Sequence, residues 1–296
     1  MQDKLTMVTG ATDGIGKETA LGLARMGAHV IVVGRTPAKI AATVEQIKAE
    51  SGNGQIDSMQ ADFSSLEQIR QLAKSFYQRY DHLDVLVNNA GGVFGSRSET
   101  ADGFEWTFGV NHLAPFLLTN LLLPALQVAA RRSGSARIVT VSSAAHVMSK
   151  LNFDDLQNQR RYSGFRAYAQ SKLANLLFTY ELARRLKDTG ITANALHPGG
   201  VASNFGRGQP GLFSKLVGFA MSFGITPEQG AQTSIYLASS PEVADVTGTY
   251  FNNRKPARSS PAANDAAAAA RLWQISEQLT GLADKPQPIT GTPATI

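Results

Sequence analysis

Residues 5–17 read Leu-Thr-Met-Val-Thr-Gly-Ala-Thr-Asp-Gly-Ile-Gly-Lys, and this stretch decides the fold. Leu5–Val8 is a short, unbroken apolar run, the pattern of a strand covered on both faces. Gly10, Gly14 and Gly16 then crowd a turn, and Gly14–Gly27 has helical spacing. A glycine-rich turn between a strand and a helix lets backbone N–H groups approach a phosphate beside the positive helix end. The spacing here is G-x-x-x-G-x-G rather than G-x-G-x-x-G, and glycine turns also serve tight packing. The position directly after the first strand is what favours phosphate binding.

Outward from this unit the alternation continues. Further strands are predicted at His29–Val33, Gln55–Gln60, Asp84–Val87, Arg137–Val141, Thr192–Leu196 and Thr249–Phe251. Between them lie helical stretches at Pro37–Ser51, Ser65–Tyr80, Asp102–Arg131, Phe165–Thr189 and Pro227–Ser239, with a last one about Asn264–Thr280. Strands alternating with helices predict a single doubly wound, Rossmann-type α/β domain with a mostly parallel seven-stranded sheet flanked by helices. No repeat or linker divides it, so residues 1–282 form one domain. Residues 283–296 are polar and proline-rich and read as a flexible tail. Gly206–Gly224 breaks the rhythm with many apolar residues between glycines. It reads as a mobile substrate lid or as a short amphipathic helix packed on the sheet.

Composition narrows the function. The chain has 296 residues and no cysteine, which excludes disulfides, thiolate nucleophiles and Cys-ligated metals. His112, His146 and His197 are not clustered in sequence and read as packing or hydrogen-bonding residues, so no metal is expected. The net charge of +5 comes from scattered Lys and Arg, which argues against a nucleic-acid partner. The longest apolar stretch, Leu113–Val128, is interrupted by Pro115, Asn120, Pro124 and Gln127, short of the roughly 20 apolar residues of a membrane span. With a strand starting at Leu5, no signal peptide is expected. The reading is cytoplasmic, without stable membrane insertion.

Chemistry concentrates at the predicted strand ends. After the second strand comes Gly34-Arg35, with no carboxylate for a ribose 2′-hydroxyl; an arginine suits a 2′-phosphate, so NADP(H) is favoured over NAD, with Lys17 as a second cation. Asn88-Asn89-Ala90-Gly91 closes the fourth strand, where the ligand crevice of such a sheet lies. Asn111 and Ser143 follow, then Tyr168-Ala169-Gln170-Ser171-Lys172. Tyr168 and Lys172, four apart, share a helix face, and a nearby ammonium lowers a phenol's pKa. Tyr-x-x-x-Lys alone means little. As the last member of this ordered series it is strong.

These motifs, TGATDGIG (9–16), NNAG (88–91), Asn111, Ser143, YAQSK (168–172) and HPGG (197–200), together resemble the short-chain dehydrogenase/reductase family over nearly the whole chain. GKETA (16–20), GFEWTFGVNHLAPFLLT (103–119), VSSAAH (141–146) and SKLANLLFTYELARRL (171–186) are similar to its retinol-dehydrogenase-like branch, which is typically NADP(H)-dependent. The resemblance implies a catalytic set. Tyr168 would be the general acid/base, Ser143 the hydrogen-bond partner of the substrate oxygen, Lys172 the ribose anchor that acidifies Tyr168, and Asn111 the support of a water-borne proton relay. It implies cofactor contacts from Gly10, Thr12, Asp13, Gly14, Ile15, Gly16, Arg35 and Asp62, the last at the adenine, with Phe63 beside it. Asn88, Asn89, Ala90 and Gly91 would line the adenosine-ribose side, and Pro198, Gly199 and Val201 the nicotinamide. Human-type members of this branch carry an N-terminal membrane segment; with Met1 almost at the first strand, no membrane attachment is expected here. In similar proteins the helices matching Asp102–Arg131 and Phe165–Thr189 pair across a two-fold axis, so a homodimer or homotetramer is expected.

The expected activity is NADP(H)-dependent hydride transfer between the nicotinamide and an apolar carbonyl or alcohol. A non-catalytic NADP(H)-binding sensor or scaffold is the alternative. A sensor would need the dinucleotide groups but not Ser143 and Tyr168, and both are present.

Overall fold

The computed structural model describes residues 1–200 and 225–283; Val201, the lid segment 206–224 and the tail from 284 lie outside the described residues. Along the chain run β1 (Leu5–Thr9), α1 (Gly14–Arg25), β2 (His29–Gly34), α2 (Pro37–Ser51), β3 (Ile56–Gln60), α3 (Leu66–Arg79) and β4 (Val85–Asn88). There follow α4 (Trp106–Phe108), α5 (Ala114–Ser133), β5 (Ala136–Val141), α6 (Gly164–Arg185), β6 (Ile191–His197), α7 (Pro227–Ser239), β7 (Tyr250–Asn252), β8 (Lys255–Pro256) and α8 (Ala266–Leu279).

The sheet order is β3-β2-β1-β4-β5-β6-β7-β8. The first seven strands pair in parallel, and β8 is antiparallel to β7. The expected seven strands are thus eight. The extra one is a two-residue return through Asn253 and Arg254, both at positive φ (49° and 60°), as a tight hairpin turn requires. Asn-Arg lacks the glycine that normally marks such a turn, which is why the sequence hides it.

Each face of the sheet has its own apolar core. One gathers α1, α2 and α7 over the inner residues of β1, β2 and β4. The other gathers α3, α5, α6 and α8. β1 lies between β2 and β4, so the chain leaves β1 in one direction along the sheet and β4 in the other. Such a reversal of strand order opens a crevice at the carboxyl ends of the strands.

The helix expected at Asp102–Arg131 starts later. The Asp102 carboxylate accepts the Leu66 N–H (2.9 Å), and Glu105 accepts the N–H groups of Thr107 and Phe108 (both 2.8 Å). A π-helical turn, Gly109–Leu113, then leads into α5. Trp106–Ser133 is long and apolar enough to cross a membrane by length and composition, with 78% of its most apolar window buried inside the protein.

Part of the apolar surface of α5 and α6 packs against the C-terminal helix of the same chain. Trp273 of α8 is 2% exposed and packs its ring against Phe116 and Phe178, with the Arg185 guanidinium 4.2 Å from its centroid. Beside it, His112 Nε2 donates to Ser276 Oγ (2.8 Å), because that hydroxyl's own proton goes to Leu272 O (2.8 Å). Burial pushes His112 down to about 3, so it is a neutral strut between α5 and the C-terminal helix.

Candidate active site

The turn after β1 is built for close backbone approach. Gly10 and Gly14 hold φ of 63° and 53°, which side chains other than glycine's rarely tolerate. A Cβ on Gly16 would lie 2.3 Å from Gly10 O and 2.4 Å from Asn89 Nδ2. Asp13 caps α1 by accepting the Gly14 N–H (2.8 Å). Thr9 ties the turn to the end of β4: its hydroxyl donates to Val87 O (3.1 Å) and accepts the N–H groups of Asn89 and Ala90 (both 3.0 Å). The Asn89 amide returns to Thr9 O (2.8 Å) and Gly10 O (3.3 Å).

A cleft of about 440 Å³ opens over this turn. Gly10, Asp13, Gly14, Ile15 and Gly16 form one wall, and Asn89, Ala90 and Gly91 the floor. Ser143, Tyr168, Lys172, His197, Pro198 and Gly199 close the far end. Asn88, expected here, is not: it is 4% exposed and its amide donates to Thr119 Oγ1 (2.8 Å) on α5. Strand alternation turns Asn88 into the core and leaves Asn89 at the rim. Thr12 packs its methyl toward Gly34, where a Cβ would meet it at 2.5 Å, so Gly34 is needed for the turn to lie against β2.

Arg35 projects from the end of β2, its side chain 68% exposed, with Nη1 3.8 Å from Asp62 Oδ2. Asp62 is otherwise committed to its own loop, accepting from Ser64 N (2.9 Å) and Ser64 Oγ (2.7 Å). Phe63, expected beside the cofactor, is buried in the core and does not line the cleft. The glycine cradle and the exposed guanidinium, only loosely paired with Asp62, fit a dinucleotide carrying an extra phosphate on its adenosine ribose.

At the other end, α6 presents Tyr168 and Lys172. Tyr168 and Ser143 line the same end of the cleft, close enough for the Ser143 side chain to pull the phenol down. Ser143 also caps the short 3₁₀ turn Ala144–Met148, its Oγ accepting Ala145 N–H (3.2 Å). Lys172 Nζ donates to Val141 O (2.9 Å) and lies 5.6 Å from the Tyr168 ring centroid. Asn111 sits in the π-helical turn, its Oδ1 accepting Gly92 N–H (2.8 Å) and its amide donating to Gly92 O (2.9 Å) and Ser171 Oγ (3.0 Å). A Cβ on Gly91 would come within 2.9 Å of Asn111 Oδ1 and 3.7 Å of Lys172 Nζ, so the three are neighbours.

The expected acidification of Tyr168 is not what the side chains give by themselves. Burial pushes the phenol up, with the Ser143 side chain pulling the other way. Burial pushes the Lys172 ammonium down to about 8. A lysine in an unfolded chain keeps its proton to about 10.4. Between those values the unfolded chain holds more protons, so stability rises with pH as the folded Lys172 deprotonates. Melting curves from pH 7 to pH 10 are therefore expected to show wild type gaining on Lys172→Met. A difference that stays flat or falls counts against a depressed lysine.

Two residues that sequence reading left as ordinary hydrogen-bonding histidines hold the Ser143 segment. Ser260 N–H donates to His146 Nε2 (3.1 Å), so the proton sits on Nδ1 and is donated to Ser143 O (2.7 Å). His197 Nδ1 accepts from Ala144 N–H (3.3 Å). Ser260 lies 114 residues from His146; no local signal links them. Thr9 was legible as part of the turn motif but its role as a pin between β1 and β4 was not.

Comparison with known proteins fits this geometry. The description "short chain dehydrogenase" matches residues 4–209. The chain belongs to the short-chain dehydrogenase family. Human retinol dehydrogenase 14 is 44% identical to it over 298 residues, covering 95% of this chain and 88% of that protein. An uncharacterized protein from Mycobacterium paratuberculosis has a crystal structure with TM-score 0.75 and 36% identity, covering 95% of this chain and 94% of that one. An NADP complex of Pseudomonas aeruginosa RhlG gives TM-score 0.67 and 27% identity, covering 85% and 94%. This short-chain dehydrogenase is thus similar to proteins of the retinol-dehydrogenase-like branch along almost its full length.

Proposed function

We propose that this short-chain dehydrogenase uses NADP(H) to interconvert an apolar carbonyl compound and its alcohol, with Tyr168 as general acid/base. The observation that carries this reading is that Ser143, Tyr168 and Lys172 line one cleft with the glycine cradle, Lys172 Nζ lying 5.6 Å from the Tyr168 ring centroid. A dinucleotide sensor has no use for Ser143 and Tyr168. When bound, the nicotinamide supplies or accepts the hydride at the substrate carbon. Ser143 then orients the substrate oxygen toward Tyr168, and Tyr168 gives that oxygen its proton as negative charge develops there. Lys172, whose Nζ lies 5.6 Å from the Tyr168 ring centroid, would hold the ribose of the bound cofactor and stabilise the phenolate left on Tyr168 with its ammonium. Asn111 keeps Gly92 and Ser171 fixed around this path. The similarity to retinol dehydrogenase 14 and the NADP complex of RhlG support the apolar substrate and the cofactor.

Arg35 is the proposed basis of the NADP(H) preference. Turnover is expected to favour NADPH over NADH in kcat/KM, and Arg35→Asp is expected to reverse the preference. A charge-assisted contact contributes about twice a neutral hydrogen bond, so an effect near tenfold is expected. Equal kcat/KM for both cofactors in wild type removes the proposal. Oxidation of NADPH by a graded panel of apolar aldehydes and ketones tests the activity itself; no consumption with any of them favours the sensor.

A further inference from the structure

Beside the catalytic cleft, on the same two segments of chain, lies a second pocket of about 400 Å³. It is lined by Met148, which ends the 3₁₀ turn capped by Ser143, by Ser149 and Lys150 after it, and by Arg160, Arg161 and Arg166. Arg166 and Gln170 share one face of α6, while Tyr168 between them faces the cleft. The charge is lopsided. Four cations line the pocket, and none of them has a carboxylate within 4.0 Å among the described residues. Asp155 is the one acid in the lining, and its carboxylate is used to fold its own loop, accepting Gln159 N–H (2.7 Å) and Arg160 N–H (3.2 Å).

The local backbone adds to the imbalance. α6 begins at Gly164 with no acidic residue in its first turn and no side-chain cap from Ser163, so no carboxylate of that turn offsets Arg166. Asp155 is the one countercharge in the lining: against its burial, the N–H groups of Gln159 and Arg160 and the charges of Arg160 and Arg166 hold its carboxyl below the usual range, which leaves four cations against one carboxylate. One lining side chain is apolar: Met148, 71% exposed. Val147 and Phe165, next in sequence to the lining residues Met148 and Arg166, are exposed as well.

We propose that this pocket binds the phosphate group of an amphiphile, with Lys150, Arg160, Arg161 and Arg166 taking the anion and Met148 contacting its apolar body. The amphiphile is met either singly or as a headgroup in a lipid surface, and the shared chemistry is a phosphate next to hydrocarbon. Occupancy would brace the two segments that carry Ser143 and Tyr168.

The test measures binding of pyrophosphate and of decyl phosphate by calorimetry at fixed ionic strength, with the protein saturated with NADPH. Vesicles of phosphatidylcholine, with and without phosphatidic acid, are examined by flotation. Decyl phosphate is expected to bind at least tenfold more tightly than pyrophosphate, and Arg160→Gln/Arg166→Gln to weaken both at least tenfold with NADPH affinity unchanged. Met148→Ser is expected to weaken decyl phosphate alone. Flotation only with phosphatidic acid, lost in the double variant, assigns the source to a lipid surface; its absence beside decyl phosphate binding assigns it to a free amphiphile. Binding that the double variant leaves untouched, or no binding of either phosphate or of acidic vesicles, overturns the proposal. The double variant's NADPH binding and turnover report the catalytic reading separately.

Discussion

Tyr168→Phe is expected to lower turnover by about 10²–10⁴-fold, the range for loss of a positioned general acid, while dinucleotide binding and melting temperature stay near wild type. The substitution deletes one hydroxyl and keeps the ring over Lys172. What it removes is the proton source at the substrate oxygen. The ring's burial survives, so no cavity opens in the core. Single-turnover rates and NADPH titration by fluorescence separate chemistry from binding. A variant that turns over as fast as wild type ends the general-acid assignment and leaves the sensor reading in its place.

Gly16→Val is expected to abolish useful cofactor affinity, by about 100-fold or more. The first added carbon already lands 2.3 Å from Gly10 O and 2.4 Å from Asn89 Nδ2, well inside contact distance. Overpacking of this kind costs about 1–3 kcal/mol where the surroundings can shift. Here the obstacle is a backbone carbonyl of the phosphate turn itself, and the branched side chain adds two more carbons. The turn must move, and the N–H groups that would meet a pyrophosphate move with it. Because Asn89 bridges Thr9 and Gly10, the disturbance also reaches the end of β4. Calorimetric titration with NADP and NADPH checks this, with the melting temperature as a control for folding. Wild-type affinity in a folded Gly16→Val protein would show that the turn does not hold the cofactor.

The sequence by itself determined the alternation of strands and helices, because period and composition are local: VIVV in β2 and the glycines of the first turn need no partner to be read. The chemical inventory was legible too, since Ser143 follows the fifth strand and Tyr168 and Lys172 stand four apart on the helix after it. Tertiary structure alone decided which of two adjacent asparagines reaches the crevice. Asn88 turns inward to Thr119 and Asn89 outward to the glycine turn, an alternation set by the pleat of β4. It decided that α8 packs on part of the apolar surface of α5 and α6, where the sequence offered only apolar faces without saying what meets them. It decided that His146 holds Ser143 through a proton fixed on Nδ1 by Ser260. It decided, too, that burial rather than the Lys172 charge dominates the Tyr168 phenol. These outcomes depend on contacts between segments distant in the chain and on how far each group is removed from water. Neither leaves a local trace, because a residue's own type and neighbours fix its preferences but not its surroundings.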